Sequence, residues 1–260
     1  MNFKVNTRYE QMTLAITVKC ASTCKVKLKV VDADKPLTVF TDRYKTVENT
    51  MKFYVRLPLT PKTILISVYN EEVGNVPNDK EKSIKVIGIE KLGLEKRMDE
   101  VDINSYSVMC FVDFAQKFCF NASYLDPNTY VSDSCNYRLE YLPTILDAKG
   151  NEMRTPARIS KTSGRIQVSK KLFNTYTVPM RMAILLHEFS HFYLNDNVDD
   201  EIEADLNGLL IYLGLGYPRI EGYQAFLEVF EKSPSEQNKE RYDVINKFIR
   251  DFESKKFVMY

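Results

Sequence analysis

The sequence contains no tryptophan and has only two histidines, His187 and His191. It also lacks an uninterrupted apolar run of the roughly 20 residues that a membrane-spanning helix requires. Residues 1–8 alternate polar and apolar side chains, so they do not have the continuous apolar segment of a secretory signal. These absences predict a cytoplasmic protein that is not exported through a signal peptide and has no membrane partner.

Neither charge nor cysteine content indicates a specialised environment. Lys and Arg number 36 against 35 Asp and Glu, a net charge of +1, and the basic residues are spread along the chain. This balance gives no electrostatic reason to expect a nucleic-acid partner.

The cysteines are odd in number and lack the spacing of a disulfide framework, which predicts reduced, mostly buried thiols. They are Cys20, Cys24, Cys110, Cys119 and Cys135.

Residues 1–90 show the period-two alternation of strands with one buried face. The apolar sets are Leu14, Ile16, Val18; Val26, Leu28, Val30; Phe53, Val55, Leu57; and Ile64, Ile66, Val68. A less regular run at 84–89 contains Gly88, which predicts a β-bulge. Short strands separated by turn residues are typical of an antiparallel β-sandwich. This region has no histidine, so we interpret it as a binding, docking or packing module.

A charged connector at 91–104 separates this domain from a second domain, 105–260, which predicts an α+β protein overall. The second domain should begin with an amphipathic helix around 108–118 and continue with a strand at 137–142. The segment 157–169 predicts two strands around a turn, or one bulged strand. Two amphipathic helices, about 220–232 and 235–254, should close the chain as a cap on this second domain.

The chemistry is concentrated in His187-Glu188-Phe189-Ser190-His191. A helix from about Pro179 to just before Asn195 would place the two imidazoles one turn apart on one face, as a shared tetrahedral zinc ion requires. A catalytic zinc ion lowers the pKa of its bound water toward about 7. Glu188 is the candidate general base that takes a proton from this water and passes it to the leaving amine.

The third ligand has to come from a carboxylate if it is not an imidazole, because no other histidine exists. Glu201, Glu203 and Asp205 are the alternatives on the helix predicted from Asp200 to Gly214. Asp200 and Glu203 have the spacing of a helix N-cap and its capping-box partner, which gives Glu203 a role without a metal.

Together with Glu201-Ile202-Glu203-Ala204-Asp205, the motif resembles the HExxH and ExxAD signature of the gluzincin branch of zincin metallopeptidases, over about 105–215. The resemblance implies a zinc metalloendopeptidase acting on peptide or protein substrates. It implies His187, His191 and Glu201 as zinc ligands and Glu188 as base. Asp205 would accept a hydrogen bond from a ligand histidine.

The same resemblance implies two further features of the site. An oxyanion donor should follow the second motif, and Tyr212, Tyr217 and Tyr223 are candidates by position. One strand within 157–169 should hold an extended peptide by β-augmentation. The alternative for that segment is an ordinary edge strand whose pairing is prevented by Lys and Arg side chains.

A structural or assembly protein is the alternative function. The domain plan weakly resembles neck or tail proteins of tailed, crAss-like bacteriophages that carry zincin-like domains. The chain would then be a virion component, with assembly partners bound through its sandwich and with activity that is vestigial or used once. A repressor-cleaving regulatory protease would be expected to carry a DNA-binding helical module, which the sequence does not contain.

Overall fold

The computed structural model describes residues 1–71, 84–101, 105–133, 137–232 and 235–254. The chain divides into two compact units, one of residues 1–96 with 216–218 and the other of 97–215 with 219–260. The boundary between residues 96 and 97 lies inside the connector predicted at 91–104. The fold is mixed α+β, as the sequence predicts. None of the helices in the described ranges has both the length and the apolarity needed to cross a membrane.

The first unit consists of antiparallel strands in two sheets, ordered β1-β6-β3-β4 and β5-β2-β7. The strands are β1 Asn2–Asn6, β2 Met12–Cys20, β3 Cys24–Asp32, β4 Val39–Val47, β5 Thr50–Leu57, β6 Thr63–Asn70 and β7 Ile84–Leu92. Leu28 and Ile66, on neighbouring strands of one sheet, are fully buried, as is Ile16 in the other sheet. The register of β2 against β7 shifts beside Gly88, which confirms the predicted bulge.

The expectation of reduced thiols was wrong. Cys20 ends β2 and Cys24 begins β3, and the tight turn between them brings their Cα atoms within 6.6 Å, where they form a disulfide. Cys110 is disulfide-bonded as well. Cys119 is a free, fully buried thiol, and burial raises its pKa. Sequence spacing did not indicate these bonds because they depend on strand and helix positions.

The second unit combines one sheet with six α-helices and two short 3-10 helices in the described part of the chain. Its strands are ordered β10-β11-β9-β8, and β11 runs parallel to β9. The strands are β8 Asn128–Val131, β9 Arg138–Leu142, β10 Ala157–Ile159 and β11 Ile166–Ser169. The helices are α1 Tyr106–Asn121, α2 Lys170–Phe173, α3 Val178–Tyr193, α4 Glu201–Gly214, α5 Arg219–Lys232 and α6 Glu236–Glu253. The hairpin β10–β11 and the helices α1, α3, α4, α5 and α6 confirm the predicted elements.

Helix α3 is the centre of this unit and carries the histidines. Its start is capped by Thr177, whose side chain accepts a hydrogen bond from the Met180 N–H, and Pro179 occupies the first turn. The guanidinium of Arg181 is buried and donates to the Phe173 carbonyl at 3.0 Å, the Cys119 carbonyl at 3.0 Å and the Ser123 hydroxyl at 2.7 Å. Arg181 therefore ties the ends of α1 and α2 to the helix that bears the site.

Candidate metal centre

His187, His191 and Glu201 present their ligand atoms to one another. The two Nε2 atoms are 3.2 Å apart. Glu201 places Oε2 3.5 Å from His187 Nε2 and Oε1 3.5 Å from His191 Nε2. One ligand atom from each residue lies within 4.8 Å of the others, so this group can hold a metal ion. Two imidazoles and a carboxylate are the ligand set of a catalytic zinc site that keeps an open position.

A backbone or carboxylate oxygen lies beside the outer nitrogen of each imidazole. His191 Nδ1 lies 2.9 Å from the Val198 carbonyl oxygen, which requires a proton on Nδ1 and leaves the Nε2 lone pair for a metal. His187 Nδ1 lies 2.9 Å from Asp205 Oδ1. Asp205 therefore occupies the position beside a ligand histidine that the sequence resemblance implies, and carboxylates in this position make the ligand more basic.

Arg241 on α6 is a component of the site that the sequence did not indicate. It forms a two-pronged ion pair with Asp205, with Nε 2.7 Å from Oδ2 and Nη2 2.9 Å from Oδ1. Its Nη1 lies 3.2 Å from Oε2 of the ligand Glu201. Both Asp205 and Arg241 are buried, at 1% and 8% exposure. The buried charges of this cluster are thus paired, which their removal from water requires.

The two glutamates of the site have opposite pKa shifts. Burial alone would raise the pKa of Glu201, but the neighbouring His191, His187 and Arg241 lower this pKa to about 2. Glu201 is therefore ionised and able to bind a metal at any ordinary pH. Burial raises the pKa of Glu188 above its usual value. A raised pKa suits a residue that accepts and then returns a proton.

The remaining acidic candidate, Glu203, has a structural role instead. Asp200 accepts a hydrogen bond from the Glu203 N–H at 2.9 Å, which confirms it as the N-cap of α4. The Glu203 carboxylate accepts from the backbone N–H groups of Asp196, at 2.9 Å, and Asn197, at 3.4 Å. The Glu203 carboxylate thereby orders the loop between α3 and α4. It does not accept a hydrogen bond from the N-cap residue, as a capping-box side chain would, and it points away from a ligand position.

Close packing of α3 and α4 depends on Gly208. A Cβ atom at this position would lie 2.9 Å from the backbone nitrogen of His187 and 3.1 Å from its Cα. Real Cβ contacts with backbone are not this short, so only glycine allows α4 to approach here. The approach places Glu201 and Asp205 on either side of the ring of His187.

The metal-binding group opens into a cavity of about 290 Å³ inside the second unit. Glu188 lines the same cavity, as do the edge strand β10 and the helices α5 and α6. Ile184, Ala225, Phe226 and Val229 form an apolar part of the wall. The Phe226 ring lies 6.1 Å from the ring of His187. Cationic side chains also reach the wall, namely Arg158, Lys161 and Arg241.

None of the three tyrosines expected to donate to the oxyanion lines this cavity. Tyr212 is fully buried in α4, and Tyr217 belongs to the first unit. Tyr223 donates a hydrogen bond to the Tyr242 hydroxyl. Helix α5 presents Ala225 to the cavity, and a residue two positions earlier lies about 200° around the helix, which is why Tyr223 faces elsewhere.

No protein-family model, curated protein or solved structure matches the chain. The chemistry of the site follows from its own geometry. His187, His191 and Glu201 can bind a metal, while Asp205, Val198 and Arg241 orient these ligands. Glu188 and the edge strand border the space in front of them.

Proposed function

We propose that the protein is a zinc metallopeptidase whose second domain is zincin-like and related to the gluzincins. The observation that carries the proposal is the convergence of the His187, His191 and Glu201 ligand atoms beside Glu188 in one cavity. The ligand set has the composition of hydrolytic zinc sites. The oriented imidazoles and the ionised Glu201 support a site that binds metal without rearrangement.

Zinc in this position supplies Lewis acidity, which polarises a substrate carbonyl and lowers the pKa of water. Glu188 would accept a proton from the attacking water and deliver it to the leaving amine. The partial removal of its carboxyl group from water strengthens this role because it favours the protonated state that follows the first transfer. The Ile159 backbone N–H near the Glu188 carboxylate partly offsets the rise that burial causes in its pKa.

Strand β10 supports a peptide as the substrate. It is an end strand of its sheet and pairs with β11 alone among the described strands. Ala157 and Ile159 of this strand line the cavity. An extended peptide can pair with such an edge, which places a backbone carbonyl near the metal and orders the chain on both sides of the cleaved bond.

The test compares wild type with Glu188→Gln and, as a matched control, Glu240→Gln on the exposed surface of α6. We expect about one zinc per chain in all three proteins by elemental mass spectrometry, and cleavage of a peptide mixture by wild type and the control alone. Cleavage by Glu188→Gln would contradict the role of Glu188, and a protein without metal would contradict the site. Zinc without any cleavage would favour the alternative function of a phage neck or tail component.

A further inference from the structure

Arg158 is a cavity-lining cation held in place by a row of side chains across the sheet. Arg158 on β10 is paired in register with Gln167 on β11, and Gln167 is paired with Glu140 on β9. The Arg158 Nε atom donates to Gln167 Oε1 at 2.7 Å, and Gln167 Nε2 donates to Glu140 Oε2 at 2.7 Å. The row fixes the Nε edge of the guanidinium.

The charge of Arg158 is unmatched by the residues around it. Arg165 compensates Glu140, with Nη1 2.9 Å from Oε1. Lys161 pairs with Asp199 at 2.9 Å, and Arg241 pairs with Asp205 and Glu201.

In the described part of the chain, no carboxylate oxygen lies within the 4.0 Å of Arg158 that defines a salt bridge. The neutral Gln167 stands where a counter-ion would otherwise be.

Some N–H groups of the Arg158 guanidinium also have no acceptor among the described residues. A guanidinium has five N–H groups. In Arg158 the Nε group donates to Gln167, and Nη1 contacts the Met153 sulfur at 3.0 Å. Sulfur is a weak acceptor, and Nη2 has no acceptor among the described residues. A planar guanidinium with a free edge binds a carboxylate through two parallel hydrogen bonds.

We propose that Arg158 determines specificity by binding a carboxylate of the peptide that occupies the cavity. The substrate class is then peptides with an acidic side chain close to the cleaved bond, or with a free carboxyl terminus at that position. The proposal builds on the proposed peptidase function, from which it takes the peptide as ligand. Half-burial of Arg158 beside the apolar wall strengthens the interaction because water screens it less than at an open surface.

Binding to a zinc-loaded Glu188→Gln protein tests the specificity separately from cleavage. Fluorescence anisotropy would compare matched labelled peptides that differ in Glu against Gln at one position, and in a free against an amidated carboxyl terminus. We expect the acidic member of one pair to bind roughly tenfold to a hundredfold more tightly. The pair that shows the difference identifies the source of the carboxylate.

Variants at Arg158 then test whether this residue causes the preference for an acidic peptide. Arg158→Gln should remove it, and Arg158→Glu should reverse it so that a Lys peptide binds better than its Glu counterpart, a gain that misfolding cannot produce. Arg138→Gln, at an exposed position on β9 of the same sheet and outside the cavity lining, is the control and should retain the preference. Equal binding of all matched peptides, or a preference that survives Arg158→Gln, would overturn the proposal.

Cleavage by the intact protein separates the two proposals. Arg158-dependent binding of acidic peptides without hydrolysis would leave the specificity standing and reject the peptidase function. Zinc-dependent hydrolysis with no preference for a carboxylate would support the function and reject the specificity.

Discussion

Arg241 and Asp205 form a buried ion pair through two parallel contacts, Nε to Oδ2 at 2.7 Å and Nη2 to Oδ1 at 2.9 Å. The pair joins α6 to α4 and lies behind His187, whose Nδ1 is 2.9 Å from the same carboxylate. Because Arg241 also contacts Glu201, one side chain from the carboxyl-terminal helix supports two of the three candidate ligands. Helix α6 is therefore part of the candidate metal centre as well as a cap.

Arg241→Met should weaken zinc binding by roughly 10- to 100-fold, the range found when a partner of a metal ligand is removed. Without the cation, Asp205 is a buried carboxylate lacking its ion-pair partner, and Glu201 loses a contact that holds its orientation. Arg241→Lys should restore only part of the affinity because an ammonium group cannot form the paired contacts. Competition with a chelating dye measures the affinity. Arg250→Met on the exposed surface of α6 is the control, and an unchanged affinity in Arg241→Met would contradict the supporting role.

The metal-binding group was predictable because its signals are local. The separation of His187 from His191 sets their shared helix face, and Asp200 marks the start of α4 through its own capping bond. The interpretation of Glu201 needed the family resemblance as well, since Glu203 and Asp205 are also close in sequence. Their different partners, backbone N–H groups for Glu203 and His187 with Arg241 for Asp205, separate the three roles.

The role of Arg241 and the positions of the oxyanion candidates could not be predicted from the sequence, because both depend on how the helices pack. Arg241 follows Asp205 by 36 positions and meets it only when α6 packs against α4. Tyr223 has a plausible sequence position but lies on the face of α5 that contacts Tyr242. Sequence distance does not determine which face of a helix meets a cavity.

Arg181→Met should lower the free energy of unfolding by roughly 2 kcal/mol or more, because it removes a buried group that donates to two backbone carbonyls and a hydroxyl. These groups are the acceptors on Phe173, Cys119 and Ser123. Urea unfolding of the metal-free protein measures the change. Lys171→Met removes a surface cation paired with Glu152 and should cost less than about 1 kcal/mol. Equal stability of the two variants would argue against a structural role for Arg181.

Tyr141 should make the protein sensitive to alkali. Its buried side chain donates to the Ala122 carbonyl at 3.0 Å, and burial raises its pKa to about 12 from the model-compound value of 10.0. The unfolded chain loses this proton first, so the stabilising contribution is complete below about pH 10 and declines as the pH rises toward 12. Tyr141→Phe should therefore lose less stability than wild type between these pH values, measured by denaturant unfolding. Parallel pH profiles would contradict the assignment.

Gly208→Ala should disturb the candidate metal centre although its added methyl group would meet the backbone of His187 and not the imidazole. The new Cβ would lie 2.9 Å from His187 N, a backbone atom fixed inside α3, so α4 has to move and take Glu201 and Asp205 with it. Overpacking of this kind costs roughly 1–3 kcal/mol, and zinc affinity should fall with it. Gly222→Ala is the matched control, because its Cβ would meet the ring of Tyr212 at 2.9 Å, away from the ligands. Both variants should unfold at lower denaturant concentration, but only Gly208→Ala should bind zinc more weakly. Equal zinc affinities would show that the distance between α3 and α4 does not control the site.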